Sequence, residues 1–322
     1  NGNEHALVGC ANGFSYVNIS NPANPYEVFF VPGTNSIWRD LKTWDHYAYI
    51  TTEANDGLLI VDLDDLSGQT YVYTTEFFNS SHNIYIDEYG YAYIFGADDE
   101  FVVSNGGAVI LDLNEDPMNP TLAGVFDSYY LHDGMVRDNI LWGSAIYEGV
   151  FAAIDVSDKS NTVIMASSST SCNFTHNAWI SDDGNYIFTT DEQQDCYVGA
   201  YDISDISDIQ QVDQIQSWNN DNAPVIPHNT HVMGNYLVTS YYTSGVTVVD
   251  AADPSNLIEI AYYDTSPAYD GGEFEGCWGA YPFLPSGLIL ASDQQTGLHI
   301  LKMLDPVYGC TNESAVNYNP EA

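Results

Sequence analysis

One phrase recurs along this chain and limits what it can fold into. A Gly or small residue opens it, an apolar run ending in Asp or Asn follows, and then comes a polar residue, often with a Pro turn. The copies are GFSYVNISNPANP (13–25), GLLIVDLDDL (57–66), GAVILDLNEDPMNP (107–120), VFAAIDVSDKSN (150–161), VGAYDISDISD (198–208), GVTVVDAADPSN (245–256) and GLHILKMLDP (297–306), seven in all. Another Tyr-, Ile-, Val- or Leu-rich strand precedes each copy, as in YAYITT (47–52) and YLVTSYY (236–242), and most copies are followed by a third, as in YEVFFVP (26–32). Six copies also have a strand ahead of the pair, opening at Trp38, His82, His132, His176, His228 and Trp278. Helical periodicity is nearly absent.

Four strands per unit at a period of roughly 40 to 55 residues is the signature of a propeller blade, whereas a β-helix needs rungs of about half that length. The expectation is an all-β, seven-bladed β-propeller over residues 1–303. Its first blade lacks the inner strand and its last lacks the outer one, so the strands that would close the ring are expected outside this sequence. Residues 304–322 read as a linker, or as the start of a short Cys-containing module leading to an anchor or sorting region.

In a propeller the inner strands line a central shaft, and their first residues meet the loops joining second and third strands at one face. That places Arg39-Asp40, His82-Asn83, His132-Asp133, His176-Asn177, His228-Asn229 and Cys277-Trp278 on a ring. Glu53, Glu148, Glu192, Tyr241 and Tyr242 come from the loops above it, with Asp98, Asp99, Asp191 and Asp293. Neutral imidazole is the commonest transition-metal ligand, and strands around a shaft can aim several side chains at one point. His82, His132, His176 and His228 are therefore candidate metal ligands. Glu53, Glu148 and Glu192 are placed to receive the second ring N–H. The competing reading is a clamp, in which His-Asn and His-Asp pairs bond backbone groups of neighbouring blades. Arg39 cannot ligate a metal and could instead pair with Asp40 or hold an anion. Calcium is the other cation to weigh, but DDLSG (64–68), DEYG (87–90) and SDDGN (181–185) are short turn sequences without a full EF-hand loop.

Five Lys+Arg against 45 Asp+Glu give a formal charge of −40. Such a surface repels phosphate backbones and anionic lipid headgroups, which excludes nucleic acid and acidic membranes as main partners. No run of eighteen apolar residues occurs, which excludes a membrane-spanning helix. Low Lys, abundant Asn and Tyr, and dispersed Cys predict an extracellular or cell-surface protein. A surface protein or a glycan is then the expected ligand of the top face, with Trp278 and other aromatics available to stack on sugars. Enzyme signatures are missing: no GxSxG, HExxH, P-loop or GxGxxG occurs. The leading function is a binding module with a possible axial metal, and the alternative is a metal-dependent oxidoreductase or lyase using the histidine ring.

Several segments resemble the choice-of-anchor B family of bacterial surface proteins, built from LVIVD-type repeats. They include EHALVGCANGFSYVNIS (4–20), WRDLK (38–42), SHNIYI (81–86), LHDG (131–134), THNAWISDDGNY (175–186), HNTHVMGNYL (228–237) and WGAYPFLPSGLILAS (278–292). The resemblance implies a secreted or surface-displayed propeller with a varied C-terminal anchor, and no activity. DPVYGCTNESAVNYNPEA (305–322) is similar to a module near the C-termini of proteins exported by the type IX route, where a second Cys normally follows Cys310.

Cysteine placement gives two pairings. Cys172 and Cys196 fall on the top face of the fifth blade and should be bonded. Cys10 and Cys277 lie on the first and seventh blades, where a Cys10–Cys277 bond would fasten the ring; the alternative for Cys277 is a thiolate metal ligand.

Overall fold

The computed structural model describes residues 3–98, 102–217 and 224–304, and in it each copy of the repeated phrase is the third strand of a blade, except in blade 1, where it is the second of the three described. Blade 1 holds β1 (His5–Cys10), β2 (Gly13–Asn18) and β3 (Tyr26–Pro32), and blade 2 holds β4 (Leu41–Trp44), β5 (Tyr47–Ile50), β6 (Leu58–Asp62) and β7 (Tyr71–Thr74). Blade 3 holds β8 (Asn83–Ile86), β9 (Tyr91–Phe95), β10 (Ala108–Asp112) and β11 (Thr121–Phe126). Blade 4 holds β12 (Asp133–Arg137), β13 (Ile140–Ala145), β14 (Val150–Asp155) and β15 (Val163–Ser169). Blade 5 holds β16 (Thr175–Ile180), β17 (Tyr186–Asp191), β18 (Val198–Asp202) and β19 (Gln210–Ile215). Blade 6 holds β20 (Thr230–Met233), β21 (Tyr236–Ser240), β22 (Val246–Asp250) and β23 (Ile258–Tyr263). Blade 7 holds β24 (Cys277–Tyr281), β25 (Leu288–Asp293) and β26 (Gly297–Lys302). The protein is thus an all-β, seven-bladed propeller, and among the described residues the first and last blades have three strands each. No helix long and apolar enough to cross a membrane occurs among them. The segment from 305 on, with Cys310, lies outside the described residues, as does Asp99.

The third strand reads as a continuous apolar run because each blade is packed between two others, so both of its faces are buried. Leu58, Leu59, Ile60 and Val61 of β6 are all at most 2% exposed. Leu58 and Ile60 pack toward blade 3, while Leu59 and Val61 pack toward blade 1.

The Asp that ends the phrase has a separate job. Asp62, Asp112, Asp155, Asp202 and Asp250 each accept, at 2.9 Å, the backbone N–H two residues on, and Asn18 does the same in blade 1 at 3.1 Å. A second such turn follows at Asn21, Asp65, Asp116, Asp158, Asp205 and Asp253. The side chain replaces a backbone partner at a tight reversal, which is why Asn and Asp occupy these positions. Ten of the chain's 45 acidic residues are accounted for by these turns.

Blades 1 and 7 meet: Ala6 and Ile19 pack with Leu290, flanked by Val8, Val17, Leu284, Leu298 and Ile300, and the Ser286 N–H donates to Glu4 Oε1 at 2.8 Å. Beside the shaft-facing edge of β1, where the other six blades have an inner strand, a cavity of about 580 Å³ opens between Leu7, Leu41, Trp179, Tyr281 and Leu290.

Cys172 and Cys196 form a disulfide, with Cα atoms 6.1 Å apart, tying the approach to β16 to the β17–β18 loop. The Cys10–Cys277 bond does not form, and both are free thiols. Cys277 is fully buried among Val238, Val246 and Val248 of blade 6, the side of blade 7 that faces away from blade 1, so its sulfur cannot meet Cys10.

Candidate metal centre

Inner strands begin at the upper end of the shaft, and there four consecutive blades each contribute one imidazole. Ring centroids are separated by 3.9 Å from His82 to His132, 4.5 Å from His132 to His176 and 4.4 Å from His176 to His228. Trp278 continues the series, 4.9 Å from His228. Ladder register explains why Trp278 and not Cys277 holds the fifth place. In β16, Thr175 pairs with Asp191 and Asn177 with Thr190, leaving His176 bulged; in β24, Cys277 pairs with Asp293 and Gly279 with Ser292, leaving Trp278 bulged. Cys277 is therefore the counterpart of Thr175, one residue ahead of the ring, which removes it as a ligand.

Two sets of ligand atoms lie within 4.8 Å of one another: His82, His132 and His176, and His176, Glu192 and His228. His176 belongs to both. It is 2% exposed, neither of its ring nitrogens has a hydrogen-bond partner, and Nε2 stands 3.6 Å from Glu192 Oε2. Glu192 Oε1 lies 3.9 Å from His228 Nε2 and accepts the hydroxyl of Tyr242. His82 Nδ1 is 2.6 Å from Glu53 Oε1, which fixes that ring with Nε2 free. The Tyr130 hydroxyl lies 3.4 Å from His132 Nδ1, and Ser240 Oγ is 3.5 Å from His228 Nδ1. Burial, reinforced by neighbouring histidines, holds the pKa of His132 and His228 well below the ordinary imidazole range. Burial also lowers that of His176, opposed by Glu192. At neutral pH these rings are uncharged, the form that ligates metal.

Neighbouring blades are clamped by several side chains: His82 Nδ1 joins blade 3 to Glu53 of blade 2, Asp40 accepts the Ile84 N–H of blade 3 and Asn177 the Thr230 N–H of blade 6, and hydroxyls do the rest. Thr51 of blade 2 donates to the His82 carbonyl at 3.4 Å, Thr190 of blade 5 to the His228 carbonyl, and Ser240 of blade 6 to the Trp278 carbonyl at 3.1 Å. The backbone at the ring is thereby tied without a hydrogen bond to either ring nitrogen of His176.

One residue further along lies a second ring. Asp133 Oδ2 accepts the side-chain amides of Asn83 at 3.1 Å, Asn177 at 3.3 Å and Asn229 at 3.2 Å, joining blades 3, 4, 5 and 6. Burial, with Asp40 adding to it, raises the Asp133 pKa to about 7. Asp40 itself accepts from Lys42 Nζ at 3.2 Å and from the Ile84 N–H at 3.2 Å. Arg39 leaves the ring: its Nε donates to the Cys10 carbonyl at 2.8 Å and its Nη2 to the Thr34 carbonyl, so it fastens blade 1 to blade 2. Glu148 is exposed, and among the described residues no hydrogen bond joins it to a histidine. Tyr241 is 1% exposed in the core between blades 5 and 6; its neighbour Tyr242 reaches the site. Tyr242 has φ of +42°, and burial followed by Glu192 pushes its pKa up. Two exposed aromatics rim the ring, Tyr147 at 4.8 Å from Tyr130 and Phe274 at 5.3 Å from Tyr242.

The LVIVD repeat matches residues 4–32, 38–74 and 228–265, which are blades 1, 2 and 6. No curated protein matches the sequence. Among solved structures, a Lactobacillus plantarum protein is similar with a TM-score of 0.71 and 14% identity, over 93% of this chain and 95% of that one. The periplasmic gluconolactonase of Pseudomonas aeruginosa has a TM-score of 0.67 and 12% identity, over 94% and 95%. A β-propeller domain from Myceliophteria thermophila has a TM-score of 0.63 and 10% identity, over 94% and 100%. At these identities the likeness is one of fold.

Proposed function

We propose that this protein is a binding propeller of the cell exterior that carries a divalent transition-metal ion at the upper end of its shaft. His82, His132, His176 and His228 form the pool of imidazole ligands, with Glu192 among them and Glu53 orienting His82. The observation that carries this reading is His176, buried without a hydrogen bond to either ring nitrogen and with Glu192 Oε2 3.6 Å from Nε2, at the point where the two ligand groups overlap. An orphaned buried polar group costs about 1–3 kcal/mol, and a bound ion supplies the missing partner. Backbone clamping falls to the acidic and amide members, Asp40 on the Ile84 N–H and Asn177 on the Thr230 N–H, and to Thr51, Thr190 and Ser240, which leaves the imidazoles for a ligand. Calcium fits poorly, since neutral imidazoles dominate the donors.

The exposed Tyr147 and Phe274 beside the ring support a ligand seated over it, and a surface protein or a glycan is the class we assign. The disulfide and the resemblance to surface proteins support an extracellular location. A metal-dependent oxidoreductase or lyase is the second reading, favoured by the Tyr130 hydroxyl, a proton donor 3.4 Å from His132 Nδ1.

The test is metal analysis after equilibrating the purified protein with an equimolar mixture of manganese, iron, cobalt, nickel, copper and zinc ions, followed by dialysis. The wild type should retain about one ion per chain and His176→Ala should lose it. A metal-free wild type, or a variant that keeps the wild-type stoichiometry, overturns the proposal.

A further inference from the structure

We infer that the ion sits between His176, His228 and Glu192, with Glu192 a direct ligand and Tyr242 the residue that positions it; this rests on the metal-binding reading above. The two overlapping groups are not equivalent. A divalent ion in a buried site needs negative charge nearby, because an uncompensated charge away from water is costly. In the group of His82, His132 and His176 the adjacent carboxylate, Glu53, is engaged with His82 Nδ1 at 2.6 Å. In the other group the carboxylate is itself a member. Its Oε1 accepts from Tyr242, and its Oε2 faces His176 Nε2 at 3.6 Å, a separation suited to two ligands of one ion.

The loop that presents Tyr242 is built with care. A non-glycine residue at φ of +42° is uncommon and persists only where its surroundings impose it. Here they do: the Tyr242 N–H donates to the Cys277 carbonyl at 3.0 Å and the Cys277 N–H returns the bond at 2.9 Å, pinning the loop of blade 6 to the first inner residue of blade 7. Gly276, at φ of +95°, leaves room for this approach; a Cβ there would lie 2.4 Å from the Tyr242 carbonyl oxygen. Thr243 Oγ1 donates to the Gly271 carbonyl at 2.6 Å, anchoring the next residue. The tyrosyl ring lies 5.1 Å from His228, edge-on, so its hydroxyl reaches Glu192 over the histidine. Two imidazoles and one carboxylate with the remaining positions open suit iron(II), zinc(II) or cobalt(II).

Cobalt(II) is the probe, because its visible bands report coordination as well as occupancy. Titration of the full chain should give Glu192→Gln a dissociation constant at least about tenfold weaker than the wild type, with altered bands. Tyr242→Phe should weaken binding by about tenfold and shift the bands while the fold, followed by circular dichroism, stays intact. His82→Ala, which removes the partner of Glu53 and not a ligand of this set, should weaken binding less than Glu192→Gln does. If Glu192→Gln binds with wild-type affinity and spectrum, or if His82→Ala abolishes binding, the ion lies in the other group and the assignment is wrong although the metal-binding reading survives. If the wild type itself takes up no cobalt, both fall.

Discussion

Asp133 Oδ2 accepts the side-chain amide of Asn229 at 3.2 Å, although 96 residues separate the two. With Asn83 and Asn177 on the same oxygen, a single carboxylate spans four blades of the shaft. Its pKa is raised from 3.8 to about 7, so the folded state keeps a proton that the unfolded chain releases near pH 4. Stability from this group is present below pH 4 and is lost as pH rises toward 7. Compared with Asp133→Asn, which stays neutral, the wild type should weaken by up to about 1.4 kcal/mol per pH unit across that window and run parallel to the variant above it. Denaturant midpoints of both proteins from pH 4.5 to 8 decide this. Parallel curves throughout, or a gain for the wild type with rising pH, would show that Asp133 is ionised in the folded protein at all these values.

The histidines predict the opposite slope. Their folded pKa values are lowered, so protons bind the unfolded chain preferentially; the associated stability is present above about pH 6.5 and is lost on acidification. Between pH 7.5 and 5, with a chelator present, the melting temperature of the wild type should drop further than that of His132→Gln. Equal drops in the two proteins would mean that His132 titrates normally.

Arg39 is 6% exposed and satisfies two carbonyls, those of Cys10 and Thr34. Arg39→Leu leaves both without a partner and should cost about 2–4 kcal/mol in urea unfolding. Arg39→Lys should recover only part of this, because an ammonium lacks the planar fork that reaches both oxygens. A loss within about 0.5 kcal/mol for the leucine variant would be the size of an ordinary surface substitution and would contradict the fastening role.

Thiol chemistry separates the cysteines. Cys277 is fully buried, with its thiol pKa pushed up by burial and by Asp293, and should be alkylated only after unfolding. Cys10, partly exposed, should react slowly in the native protein. Removing the Cys172–Cys196 bond should cost about 3 kcal/mol. Peptide mapping after alkylation of native and of unfolded protein checks the two thiols, urea unfolding of the Cys172→Ala/Cys196→Ala variant checks the bond, and a linked Cys10–Cys277 peptide would refute the placement of Cys277 against blade 6.

The blades were legible because strands buried on both faces leave an uninterrupted apolar run, and because the Asp that closes each run belongs to a turn with a fixed chemistry. The histidines could be placed at a common level for the same reason. Side-chain direction was not legible. A one-residue bulge puts Trp278 where the spacing suggested Cys277, and a positive φ sends Tyr242, and not Tyr241, to Glu192. Nothing in the order of residues shows that the long Arg39 side chain finds its acceptors on blade 1.

The aspartates that cap the repeat's turns accept N–H and hydroxyl donors more strongly when ionised, and accordingly Asp65, Asp155, Asp202, Asp205 and Asp253 hold pKa values below the usual carboxylate range. Their charge therefore survives into acid that would neutralise free aspartate. The folded protein should focus at a lower pH than its unfolded chain, whose composition puts the isoelectric point at about 4.1, so that isoelectric focusing separates the two states. In mildly acidic surroundings, mutual repulsion would then keep native molecules dispersed while denatured ones coagulate.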